Sequence, residues 1–239
     1  MNKIIYPYLL AFFISGNLFA QGGMGVFYLF DVSISYKGKS LNEAIDVAST
    51  TYNIFTDTKK GLGSIPLQYH MAGTIDAKAI KSTKPCTVTY ENVAKGVFSK
   101  NVETQKVSIK PCLNKISNTP GSKFTDIRGG VYNAGNSMSD NLKWRGLIIF
   151  SDMDNDPMQS FQKKLPLDNL KGITVLMLYS HTSAAKKGNI TDKYVEDFKT
   201  IFTDAGAKHV EAWPLQSIAV QGDKGGMQVV KYFRNSFKN

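Results

Sequence analysis

Asp31, Ser33 and Ser35 set three oxygen-bearing side chains at alternate positions, directly after the apolar run 26–30. A buried strand accounts for the apolar run but not for the oxygens clustered at its end. Asp and Ser also close turns through local hydrogen bonds, so a D-x-S-x-S match has a purely structural reading as well. Its chemical reading is half of a metal site, because hard divalent cations take their shell from carboxylate, hydroxyl and water oxygens. A second carboxylate, Asp152, ends a second apolar run at 146–150. Asp154 and Asp156 follow it in alternation, without the glycine and distant glutamate of a calcium loop, and read as solvated loop acids.

The elements that would position these groups follow from hydrophobic periodicity. Strands are expected at 26–30, 144–152 and 173–179, and their nearly unbroken apolar sequence fits a parallel sheet covered on both faces. Residues 67–75 alternate as a further strand, and 209–213 as a short one. A helix is expected after Ser40, with Leu41, Ala44, Ile45, Ala48, Tyr52 and Phe55 on one face, and Ser40 and Glu43 at capping-box spacing. Another begins at Thr125 or Asp126 and runs to about 138, a third spans about 191–205 with Gly206 as its stop, and a basic amphipathic helix spans about 227–237. The alternation gives an α/β fold, an open, mostly parallel sheet with helices on both faces. Ligands of such sheets sit beyond the carboxyl ends of the strands, where Asp31, Ser33, Ser35 and Asp152 all fall.

Residues 1–20 carry Lys3, an apolar stretch and a small residue before Gln21, the pattern of a secretory signal peptide. A single domain over 21–239 then remains, and no later stretch is long and apolar enough to span a membrane. Cys86 and Cys112 are the only cysteines, and in an exported chain two thiols at that spacing are expected to form a disulfide. Both fall in an insertion at about 77–122, punctuated by Pro85, Pro111, Pro120 and Gly121, with edge strands expected at 87–90 and 107–109. The expected location is secreted or periplasmic. The formal charge of +10 becomes +9 when Lys3 leaves with the signal, and lysines crowd the loops (Lys37, Lys39, Lys59, Lys60, Lys186, Lys187). That balance suits acidic partners. No aromatic-and-basic ribbon accompanies it, so nucleic acid is not the expected ligand.

Three segments, DVSIS from Asp31, TDIRGGV from Thr125 and SDMDND from Ser151, together resemble the von Willebrand factor A domain and its metal-ion-dependent adhesion site. The resemblance covers 24–239. It implies Asp31, Ser33, Ser35, Thr125 and Asp152 as direct or water-mediated ligands of a divalent cation, magnesium first, with manganese or calcium as alternatives. Three hydroxyls and two carboxylates leave the ion electrophilic, with an exchangeable position that an acidic residue of a partner would complete. Met153 departs from the family, many of whose members carry glycine there, and 77–122 has no counterpart. Tyr36 and Lys37, beside the cluster, and His181, after the third core strand, are the candidate partner contacts. The expected function is metal-dependent protein–protein interaction or adhesion, not catalysis. The alternatives are a metal-assisted hydrolase, for which His181 is the one candidate base, and a scaffold in an envelope assembly or secretion system. G-x-S-x-G and H-E-x-x-H are both missing from the sequence.

Overall fold

A computed structural model describes residues 22–57, 59–60, 62, 65, 67–75, 85–91, 108–156, 165–166, 168–181 and 190–238. The expected signal peptide and much of the 77–122 insertion lie outside the described residues.

The first strand, β1 (Met24–Asp31), is buried along its whole length. Alternate residues feed two cores. Val26, Tyr28 and Phe30 join one cluster with helices α1 (Lys39–Phe55), α2 (Lys110–Ser117), α5 (Leu215–Ala219) and α6 (Asp223–Lys238). Phe27 and Leu29 join the other with α3 (Ile127–Ser137) and α4 (Ile190–Asp204). This period-2 division of a wholly apolar strand requires cover on both faces, and the helices provide it.

The remaining strands are β2 (Leu67–Ile75), β3 (Cys86–Glu91), β4 (Trp144–Ser151), β5 (Ile173–Tyr179) and β6 (His209–Pro214). They form one six-stranded sheet in the order β3-β2-β1-β4-β5-β6. Every pairing is parallel except β2 with β3. The chain leaves β1 for β2 on one side and later returns to β4 on the other. The carboxyl ends of β1 and β4 are therefore a topological switch point, where the outgoing loops part and leave a crevice. Asp31 and Asp152 stand at those two ends. Just beneath them the rings of Phe30 and Phe150 stack at 4.8 Å and 7°.

The disulfide forms as expected: Cys86 on the antiparallel edge strand joins Cys112 on α2, with Cα atoms 5.5 Å apart. Three local expectations need correction, and one element was not expected. Helix α1 starts at Lys39, with Gly38 rather than Ser40 at its cap and no side-chain cap bond. Gly38 sits at φ 91°, a conformation open to glycine, so the turn enters the helix earlier than the serine suggests. Glu43 then pairs with Lys39, one turn back, at 3.7 Å. Residues 108 and 109 are not strand: Ile109 caps α2, whose Pro111 occupies the first turn, where a missing N–H costs nothing. Helix α6 begins four residues before the expected Met227, and the short α5 had no expected counterpart. A Cβ on Gly225 would stand 2.1 Å from the Ile218 carbonyl oxygen, so glycine there lets α6 fold back on α5.

Candidate metal centre

The three motif segments are stitched together by backbone bonds. Ser33 bridges Ser122 in parallel, with Ile34 N–H donating to the Ser122 carbonyl at 2.8 Å and Ser122 N–H to that of Val32 at 3.1 Å. On the other side Thr125 N–H donates to the Asp156 carbonyl at 3.1 Å, and Ile127 N–H to Asn155 Oδ1 at 2.9 Å. The stretch between Ser122 and Ile127 thus clasps the loop after β1 with one hand and the loop after β4 with the other. Asp126 caps α3 by accepting from Gly129 N–H at 2.9 Å, which settles the choice between Thr125 and Asp126. Thr125, relieved of capping, is buried between the two loops.

Within this frame four of the predicted ligands, Asp31, Ser33, Ser35 and Asp152, are joined in a continuous chain of hydrogen bonds. Asp31 Oδ1 accepts from Ser33 N–H at 2.7 Å, and Ser33 Oγ lies 3.0 Å from Ser35 Oγ. Ser35 Oγ donates to Asp152 Oδ2 at 3.3 Å. Asp31, Ser33, Thr125 and Asp152 are buried, whereas Ser35 is exposed and marks the open side. Thr125 is brought alongside by the backbone bridge to Asp156. Sequence reasoning missed Ser151, whose Oγ donates to Asp31 Oδ2 at 2.8 Å and accepts from Met153 N–H at 3.0 Å. Its one available signal was its place immediately before a strand-ending aspartate. Asn155, which holds the start of α3, was missed too.

Two carboxylates are thereby held in one desolvated place. Burial raises the pKa of Asp31, opposed by its bonds from Ser33 and Ser151. Burial pushes Asp152 up to about 7, with the charge of Asp31 adding to the effect. A pair of buried like charges is relieved by a proton or by a cation. The oxygen spacing fits a cation: adjacent ligands of an octahedral ion at 2.0–2.1 Å stand about 2.9 Å apart, beside the 3.0 and 3.3 Å separations of Ser33, Ser35 and Asp152. Among the described residues there is no cluster of three or more His, Cys, Asp or Glu side chains. A bound ion would accordingly draw on the hydroxyls as much as on the carboxylates, which suits a hard cation.

The neighbouring candidates divide. Tyr36, expected as a partner contact, is fully buried, and burial and then the charges of Asp31 and Asp152 hold the proton on its hydroxyl. Lys37 is half-buried and donates to the Thr119 carbonyl at 2.5 Å. His181 is exposed beyond β5, with its ring edge-on to Tyr179 at 5.5 Å. Asp154 and Asp156 are exposed, as read, although Asp154 N–H also donates to Asp152 Oδ1 at 3.1 Å. Met153 adopts φ 62° with its side chain buried in the core against α3 and α4, which explains how a non-glycine residue is tolerated there.

No protein-family model and no curated protein matches the sequence. Among solved structures, the open conformation of the pilus adhesin SpaC of Lactobacillus rhamnosus GG superposes at a TM-score of 0.51 and 9% identity, covering 89% of this chain and 30% of that one. A von Willebrand factor type A protein from Catenulispora acidiphila gives 0.49 and 9%, covering 87% and 42%. Proximal thread matrix protein 1 of the mussel byssus, with zinc in its metal-ion-dependent adhesion site, gives 0.47 and 10%, covering 88% and 46%. The chain thus spans less than half the length of each. At these identities the likeness is one of fold.

Proposed function

We propose that this chain is an exported binding domain of the von Willebrand factor A type, which grips an acidic group of a partner protein through a divalent cation. The observation that carries the proposal is the hydrogen-bonded chain from Asp31 through Ser33 and Ser35 to Asp152, built on two buried carboxylates at the sheet's switch point. Asp31, Ser33, Ser35, Thr125 and Asp152 would hold the ion, magnesium first. When bound, the ion supplies an electrophilic position open to a carboxylate. The residues prepare that position. Ser151 and the Ser33 N–H fix Asp31, Ser35 and the Asp154 N–H fix Asp152, and the Ser122–Ile127 clasp keeps the two loops in register. Fixing ligands before the ion arrives lowers the ordering cost of binding.

Binding rather than turnover is proposed because both carboxylates of the site are committed to the cation, and His181, the candidate base, stands exposed beyond β5 with its ring against Tyr179. Adhesion, the role of SpaC, is carried to this chain as part of the same proposal. Export rests on the N-terminal signal pattern and the disulfide, and the basic balance adds long-range attraction to an acidic partner.

Water-proton relaxation of the manganese-loaded protein tests the open position. The enhancement from exchanging water on the ion should fall when a short peptide bearing one Asp is added, and should persist with the Asn peptide. Equal response to both peptides would contradict a carboxylate-accepting cation.

A further inference from the structure

Helix α1 begins beside the metal centre and ends, about 24 Å away at 1.5 Å per residue, beside the first turns of α6. There the two helices meet closely: a Cβ on Gly226 would stand 2.7 Å from Thr50 Cγ2 and 3.0 Å from Ile54 Cδ1. A groove of about 390 Å³ opens at this junction, lined by Ile54, Met227, Lys60, Lys224, Lys231 and Asp223 among others. Lys224, Met227 and Lys231 are spaced three and four residues apart, which puts them on one face of α6. Ile54 and Met227 give the groove an apolar floor, and the three lysines, all exposed, give it a cationic rim.

Among the described residues those lysines have no ionic partners. The salt bridges among the described residues are Lys39–Glu43, Arg145–Asp140 and Lys199–Glu196. Asp223, the acid among the described lining residues, lies in the first turn of α6, where it answers the positive end of the helix dipole. The volume is at the lower end of the range for ligand pockets, room for one or two apolar side chains. An inorganic anion would leave the apolar floor wet, and a plain hydrocarbon would leave the ammonium groups unused. An apolar side chain flanked by carboxylates satisfies both.

We propose that this groove docks an acidic, amphipathic peptide segment of a partner protein, as a second contact separate from the cation site. The probe is a labelled helical peptide with leucines at i, i+3, i+4 and i+7 and glutamates on its remaining positions. A scrambled isomer and a Glu→Gln version serve as controls, all titrated into the mature chain by fluorescence anisotropy. The patterned peptide should bind saturably, at least tenfold more tightly than either control, and the Lys224→Glu/Lys231→Glu variant should lose at least tenfold. Asp31→Ala should bind the peptide as the wild type does, so that failure at the metal centre and failure at the groove are told apart. Unfolding midpoints near that of the wild type confirm that both variants fold, and Met227→Ser, which removes floor but not charge, should also weaken binding. No binding, equal binding of the scrambled peptide, or indifference to all three groove substitutions would overturn the proposal. So would vesicles with anionic headgroups that compete for the groove as strongly as the peptide, which would assign it to a lipid surface.

Discussion

Met153 carries two opposed contributions that magnitudes can separate. A non-glycine residue at φ 62° costs about 1–2 kcal/mol. Its buried side chain contributes about 2–5 kcal/mol by the usual cost of truncating a core methionine. Met153→Gly should therefore destabilise the fold by up to about 4 kcal/mol despite relieving the backbone. A urea titration that finds the variant more stable would show that the strain outweighs the packing. His70 offers a pH test. Its Nδ1 faces the Tyr28 hydroxyl at 3.2 Å and its Nε2 faces Gln68 Oε1 at 3.0 Å, so the neutral ring with its proton on Nε2 is fully satisfied. Burial lowers its pKa to about 3. The unfolded imidazole takes a proton near pH 6.5 and the folded one does not, so this histidine's contribution is intact above that pH and is lost as pH falls toward 3, by about 1.4 kcal/mol per unit. The raised carboxylates work in the opposite sense, because their folded forms bind protons more readily than the unfolded chain. Comparison with His70→Asn cancels them: the wild type should lose stability more steeply than the variant between pH 6.5 and 4. Parallel curves would contradict a buried neutral histidine.

At the scale of elements, α3 shows how little slack the site frame has. A Cβ on Gly129 would meet Asp126 Oδ2 at 2.2 Å, displacing the very side chain that caps the helix, and one on Gly130 would meet Ile75 Cγ1 at 3.1 Å. Gly129→Ala should cost about 1–2 kcal/mol through the lost cap, and a chemical-denaturation midpoint equal to that of the wild type would contradict this. Such contacts also mark where sequence reading succeeds and fails. β2 and β5 run between the residues that periodicity chose, because a strand's period and its burial state the same fact. The start of α1 was misplaced because a serine with the right spacing competes with a glycine whose positive φ is invisible in sequence. Neither α2 nor α5 was read as a helix, and the residues up to the α2 cap were taken for an edge strand, since each helix is short and is held by its neighbours: α2 by the disulfide, α5 by the backbone of α6 against Ile218.

Across the whole molecule, the site was legible to the extent that it lies at strand ends. Asp31, Ser33, Ser35 and Asp152 could be placed together from apolar runs and the geometry of open α/β sheets alone. Ser151 and Asn155 could not, because their roles come from a cross-strand and a cross-loop bond between distant segments. Tyr36 was misjudged for a related reason: the turn after Ser33, closed by bonds from Tyr36 N–H and Lys37 N–H to the Ser33 carbonyl, rolls its ring inward. The central claim is that two buried carboxylates and a row of hydroxyls at the switch point constitute a cation site. Isothermal titration of magnesium, manganese and calcium into the mature chain, beside Asp31→Ala and Asp152→Ala, tests it most directly. The account predicts saturable binding of at least one of these ions to the wild type and its loss in both variants. Binding that survives in both variants, or wild-type protein that takes up none of the three ions, would contradict it.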